Sequence, residues 1–349
     1  MKRATLLALA AGILLFVALL YHYGMVQLLA AVAAAGWGLL WVAIYRFVTI
    51  ATDAVGWRAL FAGPARPAFG PLWRVRWIGE SINSLLPVAQ VGGDVARARL
   101  AARLGVPGPE AGATVVVDFT LGLVTQILCT LVGVSLMIQA GGARAETRGW
   151  LLGLLVAGLA VAAFYLAQRS ALFQKLGGVL RVLLRGRARD SLAGNAHELD
   201  RDIVAIYWHR RSVIACGAWR MATWLLHTGE TWLALYYLGA PVSLAHALIL
   251  ESLGTAVRSA AFAIPGGLGV QEGGFVLLGS QLGLSPQVSL ALALVKRVRE
   301  LLVGGPGLVA WTVAEGRNLA RLLAPRTQRG ASPIRAERGK GRSRRERSH

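Results

Sequence analysis

Residues Ser81 to Asp94 read SINSLLPVAQVGGD, and this stretch decides the fold. It holds an Asn, a Pro, a Gln, a Gly pair and an Asp inside a run too apolar for a loop in water. Arginines flank it on both sides, Arg74 and Arg76 before it and Arg97, Arg99 and Arg103 after it, so both ends are expected in the cytoplasm. A segment that enters an apolar medium and leaves on the same side is a re-entrant hairpin, which is tolerated only where protein or a wet cavity satisfies its backbone. Pro87 would break the descending half-helix, and Gly92 and Gly93 would permit a close return. Asp94 is placed to cap the following helix, DVARARLAARLG, whose Gly105 suits its end; that helix is expected at the cytoplasmic surface. The competing geometry is an ordinary span kinked at Pro87.

Composition supports the apolar setting. Of 349 residues, 55% are hydrophobic and 15% charged, against roughly 25% charged in soluble domains, and the mean hydropathy is +0.55. Apolar runs at residues 4–20, 28–50, 113–138, 150–167, 212–238 and 287–313 approach or exceed the roughly 20 helical residues that cross a bilayer core. The reading is an all-α polytopic membrane protein with six full transmembrane helices and two re-entrant helical hairpins arranged as an inverted repeat. Lys2 and Arg3 precede the first run, which has no persuasive cleavage site after it and reads as a retained anchor.

The net charge of +20 is distributed unevenly. Basic residues concentrate around Arg66, Arg74 and Arg76, between residues 169 and 211, and from Arg317 onward. By the positive-inside rule these regions and both termini are cytoplasmic; the expected membrane is a bacterial inner membrane. The basic tail, 324–349, reads as disordered. Blocks of like charge beside membrane spans set orientation or touch anionic lipid, so no nucleic-acid partner is expected.

A second copy of the opening motif occurs at AIPGGLGVQEGG, Ala263 to Gly274. Pro87 matches Pro265 at an offset of 178 (265 − 87) without a gap, and the same offset matches Ser81 with Ser259, Asp94 with Glu272, and Gly105 with Gly283. Repeat 1 covers about 70–138 and repeat 2 about 245–313, within a membrane domain of residues 1–323. An odd number of spans between the copies would invert the second relative to the first, a recurring construction of transporters. The 245–264 segment is also long enough to span, which would place the tail outside.

The same offset aligns Glu80 with Arg258 and Asp118 with Lys296, opposite charges at equivalent positions, and suggests pairing across the pseudo-twofold. Charges within membrane segments are functional candidates by default. The densest group is LVKRVRE, Leu294 to Glu300, in which Lys296 and Glu300 can pair on one helical face while Arg297 and Arg299 point elsewhere. Glu230, Glu251 and Glu272 add acids to the second half. Candidate substrate-binding or translocation residues are Glu80, Asn83, Pro87, Gln90, Gly92, Gly93, Asp94, Asp118, Glu251, Arg258, Pro265, Gly266, Gly267, Gln271, Glu272, Lys296, Arg297, Arg299 and Glu300. Of these, Glu80, Asn83, Arg258, Glu272, Lys296 and Arg299 are expected to line a polar cavity.

Other chemistry has little support. The histidines at 22, 197, 209, 227, 246 and 349 show no metal-ligand spacing, and the glycines of GGLG, Gly266 to Gly269, lack the Lys and Ser/Thr of a phosphate-binding loop. No metal, cofactor or catalytic residue is expected. Cys129 and Cys216 fall inside apolar runs and read as packing residues.

The segments GESINSLLPVAQVGGDVARARL, VVVDF, AFAIPGGLGVQEGG and ALALVKRVRELLVGGPGL together resemble the transmembrane, flippase-like region of the lysylphosphatidylglycerol synthase superfamily. Within it they are most similar to the hopanoid-biosynthesis-associated HpnL-like membrane proteins. In aminoacylating members a separate soluble domain makes the modified lipid and the membrane region moves it across the bilayer. The resemblance to the membrane region alone implies a non-enzymatic lipid translocator. Its expected partners are a membrane lipid, an anionic phospholipid or a hopanoid, and membrane proteins of the hopanoid pathway. The alternatives are a noncatalytic scaffold for hopanoid-pathway enzymes docking through the basic 169–211 loop, and a lipid-modifying enzyme using Glu80 and Asp118.

Overall fold

The computed structural model describes residues 33, 36–61, 66–86, 91–140, 144–169, 187–261, 264 and 267–323. The described residues form ten helices and no strands. The expected apolar run at 4–20 lies outside them. The run at 28–50 appears as α1, Gly38–Arg58, which carries Arg46 within the run and continues past it to include Asp53. Then come α2, Phe69–Leu85, α3, Gly92–Ala102, and α4, Gly108–Gln139. They are followed by α5, Arg144–Arg169, α6, Arg187–Trp208, and α7, Arg210–Tyr237. The described chain closes with α8, Leu244–Ala260, α9, Val270–Gln281, and α10, Pro286–Leu323.

Two of these, α1 and α4, are long and apolar enough to cross a membrane, and residues 155–168 of α5 form a shorter apolar helix. Helices α7 and α10 have the length but fall short in apolarity. Arg220 and Glu230 interrupt one, and Lys296, Arg297, Arg299 and Glu300 interrupt the other. The chain divides into two compact units, Met1–Val309 and Ala310–His349; in the second, the described residues are the end of α10.

The quoted stretch folds as a helix, a break and a returning helix. Leu86 leaves α2 in an extended conformation, and Pro87 and Gln90 lie outside the described residues. At the return, a Cβ on Gly93 would sit 2.0 Å from the Gly79 carbonyl oxygen. Only glycine allows that approach. The Gly93 amide, which has no helical acceptor at the start of α3, donates to Asn83 Oδ1 at 2.7 Å. The expected cap is corrected. The helix starts two residues before Asp94, with Val91 at the N-cap and no side-chain cap, so Asp94 stands in the first turn and accepts from Arg97 at 2.8 Å.

The second copy keeps the same punctuation. Helices α3 and α9 begin 178 residues apart (270 − 92), as do α4 and α10 (286 − 108). Gly105 and Gly283, also 178 apart (283 − 105), both take positive φ, +94° and +78°, the left-handed turn that ends a helix. Helices α2 and α8 are each 17 residues long. Pro265 and Gly266 lie outside the described residues, but Gly267 and Gly269 take positive φ at the break.

Each short first helix packs against the long helix of the other copy. Trp77 of α2 donates through Nε1 to the Val303 carbonyl of α10 at 2.8 Å, and a Cβ on Gly307 would meet Ser81 Oγ at 2.0 Å. Reciprocally, Gln126 of α4 donates to Ser259 Oγ of α8 at 2.8 Å, and a Cβ on Gly133 would meet Ser252 Oγ at 2.1 Å. Helices α1 and α7 run antiparallel along their whole contact. Gly38 abuts Tyr237, Gly229 abuts Tyr45, Thr223 donates to Thr52 at 2.9 Å, and Gly56 abuts Trp219.

Side-chain polarity is the reverse of a water-soluble fold. Asp118, Thr114, Thr231 and Glu272 are fully buried, whereas Leu152, Leu159, Leu166, Leu225, Leu277 and Leu301 are each more than half exposed. An outer surface of leucine and valine around buried carboxylates suits lipid as solvent. The hydroxyls of Thr120, Thr125 and Thr130 on α4 each bond the carbonyl four residues back, which satisfies them without water. The apolar core gathers Leu235 of α7, Leu250 and Leu253 of α8, Phe275 of α9 and Leu292 of α10.

The 169–211 region, expected as a basic loop, contains α6. Ile203 is fully buried, and the helix packs on α4 and α5. Tyr207 donates to Gln168 Oε1 at 2.9 Å, and Gln168 donates to Thr120 at 2.9 Å. Apolar side chains at Ile203 and Ile206 give this charged helix an inner face.

Candidate functional site

A cavity of about 310 Å³ opens among these helices. Its wall carries Arg46, Arg76, Arg97, Arg258, Lys296 and Arg299, matched by Asp53, Glu80, Asp94, Glu230, Glu251 and Glu300. Both copies contribute. A second chamber of about 270 Å³ shares Asp53, Arg76, Asn83, Asp94, Arg97, Gln126 and His227 with the first and adds Arg220, Thr223 and Trp224. His227 therefore stands at the joint of the two.

Asp118 anchors the first of two ion networks. Fully buried on α4, its carboxylate receives Arg76 of α2 at 2.7 Å, Arg220 of α7 at 2.6 Å, and Arg97 of α3. Arg76 and Arg220 reach onward to Asp53 of α1, at 2.7 Å and 3.1 Å. Arg97 also lies over the Trp57 ring, 4.2 Å from its centroid, a favourable cation–π position. Three arginines meet three acids, Asp53, Asp94 and Asp118, so five helices are joined without a net charge. Breaking one partner of such a buried network is costly because the others are left uncompensated.

The second network runs across the copies. Arg46 of α1 bonds Glu80 of α2 through Nε at 2.9 Å and approaches Glu230 of α7 at 3.5 Å. Glu230 faces Arg299 of α10 at 3.2 Å. Glu251 of α8 takes Lys296 and the Thr231 hydroxyl, and His227 lies 3.7 Å from it. Glu300 takes Arg258 of α8, Arg297 at 3.2 Å and Arg299 at 3.8 Å. Glu272 of α9 receives Arg297 at 2.9 Å.

Of the six residues expected to line a cavity, Glu80, Asn83, Arg258, Lys296 and Arg299 do so. Gln271, Glu251, Asp94 and Glu300 join them. Glu272 does not line it; its carboxylate is buried against Arg297. Asp118 likewise stands behind the wall, holding arginines that line it. The expected direct pairs take other partners. Glu80 goes to Arg46 rather than Arg258, Asp118 to three arginines rather than Lys296, and Lys296 to Glu251 rather than Glu300. Pro87, Gln90, Pro265 and Gly266 are outside the described residues. Gly93 and Gly267 shape the backbone at the breaks, and Gly92 is the first residue of α3.

Sequence reasoning misses Arg46, Asp53 and Arg220, although Arg46 and Arg220 are charges inside apolar runs and Asp53 lies three residues past the end of one. It also reads Arg76 and Arg97 as cytoplasmic surface cations. The structure buries both, at 8% and 3% exposure, because each meets a carboxylate from another helix. Among the described residues no cluster of three His, Cys, Asp or Glu side chains could hold a metal ion.

A UPF0104 membrane protein of Methanothermobacter thermautotrophicus is 24% identical over 238 residues, covering 63% of this chain and 68% of its own. No solved structure matches. The family model described as the lysylphosphatidylglycerol synthase TM region matches residues 5–306, a stretch that takes in both copies of the Gly/Pro break and every residue of the two ion networks. The chain is thus a membrane protein of the lysylphosphatidylglycerol synthase transmembrane-region family.

Proposed function

We propose that the protein is a lipid translocator, without enzymatic activity of its own, that passes a lipid head group through the charged cavity while the acyl tails stay in the bilayer. The observation that carries this reading is the cavity wall: six cations and six carboxylates from both copies, enclosed by helices whose outer faces are leucine and valine. A volume of about 310 Å³ lies at the small end of ligand sites, roughly 300–1,000 Å³. It suits a head group and excludes a whole lipid.

The two copies act in this proposal as an inverted repeat of re-entrant hairpins. Matched helix starts, reciprocal packing of α2 on α10 and α8 on α4, and the antiparallel α1 and α7 support that arrangement. Such halves can rock against each other around a fixed central site. The membrane is the bacterial inner membrane, with both termini in the cytoplasm by the charge bias. A link to hopanoids rests on the resemblance of the motifs.

The test is reconstitution of purified protein into phospholipid vesicles with a fluorescent phospholipid whose inward-facing pool resists a membrane-impermeant quencher. The protein alone should equilibrate the leaflets. Arg46→Ala and Arg299→Ala should slow this by about tenfold or more, equivalent to roughly 1.4 kcal/mol of barrier. Unchanged rates in both folded variants would remove the cavity from the account.

A further inference from the structure

Resting on the translocation reading, we propose that the cavity selects a phospholipid whose head group carries a phosphodiester and a primary ammonium together, of the ethanolamine type. The first ground is charge balance. The wall holds equal numbers of cations and carboxylates, so it offers no surplus of either sign. A head group with net charge would leave that charge uncompensated against the buried, already paired side chains of the wall, where an isolated charge is disfavoured. A zwitterion adds none.

The second ground is independent and local. Glu230 and Arg299 both line the cavity and are buried, at 2% and 7% exposure. Glu230 Oε2 and Arg299 Nε have no hydrogen-bond partner, although Oε2 lies 3.5 Å from Arg46 Nη1. Arg299 Nε lies 3.2 Å from the other Glu230 oxygen, but the two are too misaligned for a hydrogen bond. Buried polar groups in folded proteins are nearly always bonded, so an acceptor and a donor on facing side chains, each near an opposite charge but without a hydrogen bond, mark the place of a ligand with both characters. An ammonium N–H satisfies the carboxylate oxygen, and a phosphate oxygen satisfies the guanidinium N–H. A choline head group has no N–H to give, and a glycerol head group brings a net negative charge.

The experiment offers the purified protein mixed detergent micelles with equal parts phosphatidylethanolamine, phosphatidylcholine and phosphatidylglycerol, and measures retained lipid by native mass spectrometry. The expected result is enrichment of the ethanolamine lipid over the glycerol lipid by about tenfold, a difference of roughly 1.4 kcal/mol, with a smaller margin over choline. Glu230→Gln, which leaves a surplus positive charge, should shift retention toward phosphatidylglycerol. The charge-neutral double variant Glu230→Gln/Arg299→Gln should restore discrimination against phosphatidylglycerol and lose that between ethanolamine and choline; it also carries the test if the single variant does not fold. Equal or better retention of phosphatidylglycerol by the unaltered protein, or an unchanged ranking in the variants, would overturn the proposal. Because retention is read without transport, a protein that selects the ethanolamine lipid but moves none refutes the translocator instead.

Discussion

Arg76 of α2 holds Asp118 of α4 at 2.7 Å with one amino group and Asp53 of α1 at 2.7 Å with the other. One side chain thus ties α2 to the helices before and after it in sequence, α1 and α4. Asp118 receives two further arginines, so it is the member whose loss strands the most charge. Asp118→Asn should lower stability by roughly 3–5 kcal/mol, the usual cost of removing one partner of a buried ion network. Thermal unfolding in detergent, followed by size-exclusion chromatography, checks this; a melting temperature equal to that of the unaltered protein would contradict it.

Gly93 tests the close return at the first break. A Cβ there collides with the Gly79 carbonyl, a backbone atom that cannot swing away, and displaces Asn83. Gly93→Ala should cost at least the roughly 1–3 kcal/mol of an overpacked core. Gly273→Ala, where an added Cβ meets nothing within 4 Å, should be neutral or slightly stabilising in the same assay because alanine favours the helix.

The antiparallel α1 and α7 can be trapped directly. Thr52 and Thr223 share a hydrogen bond at 2.9 Å, close enough for cysteines in their place to approach disulfide geometry. In a background with Cys129 and Cys216 replaced by alanine, Thr52→Cys/Thr223→Cys should cross-link on mild oxidation, read as a mobility shift reversed by reductant. The pair Thr52→Cys/Tyr237→Cys, whose second site is at the far end of α7, should not. Cross-linking of the distant pair alone would reverse the helix direction.

How much is legible in the sequence follows from what kind of information each feature needs. The second copy of the motif is readable because glycine acts locally, and the offset of 178 relates the turn at Gly283 to that at Gly105 and, once α3 and α4 are placed, the starts of α9 and α10 to theirs. The polar wall is readable in part, since Lys296, Arg258 and Glu80 are charges in apolar surroundings. Their partners are not. Which carboxylate meets which cation depends on helices distant in sequence, and the pseudo-symmetric pairs fail because α1 and α7 supply Arg46 and Arg220 from outside the two repeats. Arg76 misleads for a related reason: an arginine beside a hairpin looks like a cytoplasmic marker unless Asp53 and Asp118 are known to face it.

In the proposed arrangement two oppositely oriented halves surround one cavity, and cysteine accessibility reads their orientation. In the same cysteine-free background, single cysteines at Gly70 and Leu104 bracket the first hairpin, and single cysteines at Ser243 and Ser285 bracket the second. Labelling with a membrane-impermeant maleimide in right-side-out and inverted vesicles should mark Gly70→Cys and Leu104→Cys from the cytoplasmic face, and Ser243→Cys and Ser285→Cys from the opposite face. Labelling of Ser243→Cys and Ser285→Cys from different faces would mean that the segment between them crosses the membrane once, and labelling of all four from one face would mean that the repeat is not inverted; either result contradicts the inverted arrangement.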